Sequence, residues 1–82
     1  MKKPPADIET TLIHQLDKMG IESNTTSRFI RDLIISFSDL PTISLSHVNN
    51  RMHGLGWDYL DYHTYQLAKA CFENGSLKRL QV

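Results

Sequence analysis

The chain is short of the features that announce chemistry, export or a bilayer. Its 82 residues include one cysteine, Cys71, so no disulfide can close within the chain and a stapled secreted mini-protein is not expected. No apolar run approaches the roughly 20 residues that span a membrane. Met1-Lys2-Lys3-Pro4-Pro5 carries two positive charges with no greasy stretch behind them, unlike an export signal. Asn24-Thr25-Thr26 and Asn74-Gly75-Ser76 match the glycosylation pattern but lack that context. The expectation is a cytoplasmic protein with no membrane role. An excess of either charge is also missing: nine Lys and Arg stand against nine Asp and Glu. Phosphate attraction normally needs a basic surplus, so the balance disfavours nucleic acid as a partner.

Reaction machinery is equally scarce. The histidines, His14, His47, His53 and His63, are scattered, and none shows the close His/Cys spacing of a structural zinc site. His63 and Cys71 are eight apart, a poor ligand pair. Gly54-Leu55-Gly56 lacks the preceding strand and third glycine of a dinucleotide loop. Asp58 and Asp61 could face a cation, but Asp61 is already needed to start a helix. No catalytic residue, metal ligand or cofactor is expected, and the chain does not read as an enzyme.

What the chain does have is helix punctuation. Apolar content of 40% and charged content of 22% are ordinary for one globular domain, with no repeat or linker to divide it. A single domain over 1–82 is expected, ordered over about 5–75, with 1–4 and 76–82 flexible. The spacing of Ile8, Leu12, Leu16 and Met19, with Ile13 beside them, predicts a first helix from Pro5 to Met19, stopped by Gly20. Ser23, Asn24 or Thr25 can cap a second helix whose Phe29, Ile30, Leu33, Ile34 and Phe37 form its buried side. Pro41 ends it. Ser44 caps a third helix burying Leu45, Val48, Met52 and Leu55, with Gly56 as its stop. Asp61 caps a fourth that buries Thr64, Leu67, Ala68, Cys71 and Phe72 and ends near Asn74. The fold class is all-α: a compact domain of four short amphipathic helices.

The helix pair at 44–74 resembles a helix-turn-helix in outline. Gly56 opens the turn between Leu55 and Trp57, although Met52 stands where that motif carries a small residue, and the turn is long. The resemblance implies DNA binding through the 61–74 helix, with Tyr62, His63, Gln66 and Lys69 at base edges and Arg51 on a phosphate. Against it, Glu73 offsets Lys69, and Asp58 and Asp61 would repel the phosphate backbone. The favoured expectation is therefore a non-enzymatic binding module whose partner is another protein or a second copy. Its candidate contacts are Arg28 and Arg31 around Ile35, and the aromatic group Trp57, Tyr59 and Tyr62. Those aromatics, with Tyr65, could equally form the seam of a small core.

Overall fold

Two of the predicted stops are built as their glycines require. In the computed structural model, which describes residues 7–81, Gly20 and Gly56 adopt φ of 85° and 98°, a region where other residues are strained. Each closes its helix with a pair of reversed hydrogen bonds. The Gly20 and Ile21 amides donate to the Asp17 and Leu16 carbonyls, and the Gly56 and Trp57 amides donate to those of His53 and Met52, all four at 3.0 Å. The element order is α1 (Asp7–Lys18), α2 (Ser23–Asp39), α3 (Leu45–Gly54), α4 (Tyr62–Glu73) and α5 (Ser76–Leu80), with no strand among the described residues. The predicted start of the first helix at Pro5 and the expected flexibility of 1–4 lie outside those residues.

Two caps are made by the predicted side chains. Ser44 Oγ accepts from the His47 amide at 3.3 Å, and Asp61 Oδ1 accepts from the Thr64 amide at 2.7 Å. The third is not. None of Ser23, Asn24 or Thr25 caps α2, which begins at Ser23 after an extended Glu22 with no side-chain bond to the first turn. The hydroxyls of Thr25 and Thr26 donate backwards to the Glu22 carbonyl, at 2.9 and 3.0 Å, so they point away from the orphan amides.

α1 packs chiefly on α4, and α2 lies against α3, α5 and, more lightly, α4. Every helix contributes to one core: Leu12 and Leu16, Phe29, Ile30, Leu33 and Phe37, Val48 and Met52, Tyr65, Ala68 and Cys71, and Leu77. Leu67 and Phe72 pack against it, as the stripe on α4 predicts. Phe37 stacks on Phe72 with ring centres 5.0 Å apart, while Phe29 meets Trp57 edge to face at 4.9 Å.

Two features differ from the pattern read in the sequence. Ser76–Leu80 form α5, with Leu77 fully buried against α2 and α4. Ser76 Oγ donates to the Cys71 carbonyl at 3.3 Å, and Arg79 pairs with Glu9 of α1 at 2.7 Å. Leu55 is 52% exposed rather than buried. It is the last residue before the reversal at Gly56, and Trp57, swung back by that turn, occupies the interhelical space instead. No helix among the described residues is long and apolar enough to cross a membrane.

Candidate functional site

α2 and α3 meet in a seam of cross-helix pairs. Asp32 Oδ2 accepts from Trp57 Nε1 at 2.8 Å, the Ser36 hydroxyl lies 3.4 Å from the Met52 sulfur, and Arg51 Nη1 donates to Asp39 Oδ2 at 3.0 Å. As the α2 numbers rise from Asp32 to Asp39, their partners fall from Trp57, just past α3, to Met52 and Arg51 within it, so the helices run antiparallel. Ile35 lies one turn before Asp39 on α2, and Leu55 caps the end of α3 four residues after Arg51. Both are exposed, Ile35 at 45%. A rigid platform thus presents two aliphatic side chains to solvent, with Arg31, Asp39 and Arg51 around them.

Trp57 is a structural clasp. Its ring packs on Phe29 while the Arg28 guanidinium lies 5.0 Å from the ring centre, a cation–π contact. Arg28 is therefore spent on Trp57. Arg31 reaches Asp32, with Nε 3.6 Å from Oδ1, and its side chain is still more than half exposed. Asp32, only 7% exposed, organises this corner but escapes a reading by pattern, since an acid among Phe29, Leu33 and Ser36 looks like a lapse in the apolar face. The available signal was its position three residues after Phe29 on the side that buries.

The predicted aromatic group divides. Trp57 is half-buried and Tyr65 buried, whereas Tyr59 and Tyr62 remain 60% and 59% exposed. Tyr59 lies against His53 with ring centres 4.8 Å apart and planes tilted by 39°, and the segment that carries it is held by Asn49. Asn49 Nδ2 donates to the Leu60 carbonyl at 3.1 Å, and its Oδ1 accepts from the Leu60 amide at 2.7 Å. The Asn49 side chain thus substitutes for a neighbouring strand.

The nucleic-acid candidates are not brought together as a set. Tyr62, Gln66 and Lys69 line a groove of about 430 Å³ between α4 and residues 43–45, with Glu73 on the same rim. Arg51 is instead across the molecule's α2–α3 seam, paired with Asp39, and His63 is exposed outside the groove lining. α3 rests mainly on α2, and α4 mainly on α1 and α5, so the two helices of the outlined motif share little direct packing.

Two titrating groups are shifted by their surroundings. The Thr64 amide donating to Asp61 holds that carboxyl below its ordinary value, with His63 adding to the effect. Burial pushes the Cys71 thiol up, away from the thiolate that a nucleophile needs. No group of three His, Cys, Asp or Glu side chains gathers among the described residues. Comparison with protein-family models, curated proteins and solved structures finds no match to the chain.

Proposed function

We propose that the chain is a non-enzymatic helical module that binds another protein through the α2–α3 face. One observation carries this reading: Ile35 and Leu55 are both left exposed where α2 and the end of α3 are tied together by Ser36 on Met52, Arg51 on Asp39 and Trp57 on Asp32. Exposed aliphatics on a rigid support bind without an ordering cost, and the arginines around them suit an interface rim. Tyr59, held in place by His53 and the Asn49 clasp, extends the accessible aromatic area beyond the α3 terminus.

Affinity capture with quantitative mass spectrometry tests it. Ile35→Asp is expected to lower recovery of specific partners about tenfold, because a hot-spot aliphatic replaced by a charge costs at least about 1.4 kcal/mol, whereas Lys69→Glu in the opposite groove leaves recovery unchanged. Equal recovery by the wild type and Ile35→Asp would exclude this face.

A second reading, DNA binding through α4, is favoured only by the gathering of Tyr62, Gln66 and Lys69 in one groove. It requires a gel shift at about 50 mM salt that fades steeply as salt is added, since bound phosphates release counterions. Loss of partner capture in Lys69→Glu together with such a shift would favour DNA over protein.

A further inference from the structure

We infer that the partner of the α2–α3 face is a second copy of this chain, docked about a two-fold axis at Ile35. The inference rests on the protein-binding reading above and commits it to one occupant.

The charge pattern along α2 carries it. Arg31, Ile35 and Asp39 are spaced four residues apart, so they form one ridge about 6 Å per step along the helix. Arg31 stands one turn before the exposed isoleucine and Asp39 one turn after it. A near-antiparallel copy of α2 centred on Ile35 therefore brings each Arg31 to the partner's Asp39 and each Ile35 to its counterpart. The surface is complementary to itself, which is what an isologous two-fold contact requires. The order of charges matters: two like charges flanking Ile35 would have repelled the same arrangement.

Both charged side chains are accessible to a partner. The Arg31 and Asp39 side chains are each 55% exposed. Asp39 already accepts from Arg51 through Oδ2, and a carboxylate can accept a second guanidinium on its other oxygen. Leu55, exposed at the end of α3, is a second large aliphatic left open in each copy. Arg51, 46% exposed and held on Asp39 Oδ2, is the like charge at that end of the ridge, so the second copy's Arg31 must approach Asp39 from the side of Oδ1. Asp32 is buried and engaged by Trp57, and Arg28 is drawn over the indole.

A ridge of this size belongs with small, readily dissociating contacts, below about 1,200 Å² of total buried area. Sedimentation equilibrium on the full chain, from roughly 20 µM to 1 mM, is therefore the measurement, and the weight-average mass is expected to rise from 9.4 kDa toward twice that value. Arg31→Glu and Asp39→Lys are each expected to weaken association about tenfold or more, since each turns two attractions into repulsions. An equimolar mixture of the two variants restores it. In the mixed dimer the acid introduced at position 31 of one copy meets the base introduced at position 39 of the other, while the remaining Asp39 meets the remaining Arg31. Circular dichroism checks that each variant is folded. Arg31→Gln and Asp39→Asn, which remove a charge without reversing it, weaken association in the same direction if either reversal fails to fold. A wild type that stays at monomer mass up to ~1 mM overturns self-association while leaving the Ile35 capture experiment to decide the wider reading. Association that survives Arg31→Glu, or a mixture that fails to recover, overturns the two-fold geometry.

Discussion

Asp61 shows how much one side chain can hold at a helix start. Its carboxylate satisfies the Thr64 amide, and the partial positive charge of the α4 amino end stabilises the ionised form. Removing the cap by Asp61→Ala is expected to cost about 1 kcal/mol, a fall of about 4–8 °C in melting temperature for a domain of this size. Because the folded carboxyl titrates below its ordinary value of 3.8, the cap's contribution is fully present above that value. It is lost as pH falls through the folded-state value, where both forms bind the proton. The difference in melting temperature between wild type and Asp61→Ala should therefore be constant near neutrality and shrink in acid. A difference that persists undiminished at the acid end would assign the effect to something other than the ionised cap. At the same scale, Asn49 acts as a piece of backbone, a role that only the position of Leu60 makes visible.

Between helices, it is the connections that determine what the elements can present. The extended segment after Gly56 has no strand beside it, so its amides and carbonyls need other partners. Asn49 supplies both for Leu60. Asn49→Ala leaves a part-buried amide and carbonyl unpaired, with an expected cost of about 1–3 kcal/mol and faster hydrogen exchange at the Leu60 amide than anywhere in α4. Asn49→Asp keeps the acceptor for the Leu60 amide but sets a negative oxygen against the Leu60 carbonyl, so it should retain more protection at that amide than Asn49→Ala while still losing stability. Exchange at Leu60 that is unchanged in Asn49→Ala would show that the clasp holds nothing. Helix limits of this kind were legible in the sequence wherever the signal is local: Gly20, Ser44, Gly56 and Asp61 each act on residues only a few positions away. Pairings over distance were not. Asp32 with Trp57, 25 positions apart, and Asn49 with Leu60 depend on how elements dock. Leu55 misled for a related reason, because the helical period continues through it while the turn at Gly56 reassigns its place to Trp57. Of the candidate site, Ile35 and Arg31 were found as an off-stripe feature; the exposure of Leu55 needed the turn at Gly56.

For the molecule as a whole, α5 completes the core. Five residues with two leucines carry too little periodicity to announce a helix, yet Leu77 is nearly as buried as Phe29 or Leu33 of α2. Leu77→Ala is expected to destabilise by about 2–5 kcal/mol, a large share of the ~5 kcal/mol available to a small domain. Chemical denaturation would register this as a midpoint shift with little change in slope. A loss below ~0.5 kcal/mol, the range of surface substitutions, would mean that α5 only rests on the core.

The docking of α1 on α4, and of α5 on α2 and α4, also bears on synthesis. As the polypeptide leaves the ribosome, α1 emerges first, but its main packing surface is made more than forty residues later. Until Leu77 is clear of the exit tunnel, the greasy flanks of α2 and α4 have no cover. Assembly of this interior therefore waits on translation of its closing turn.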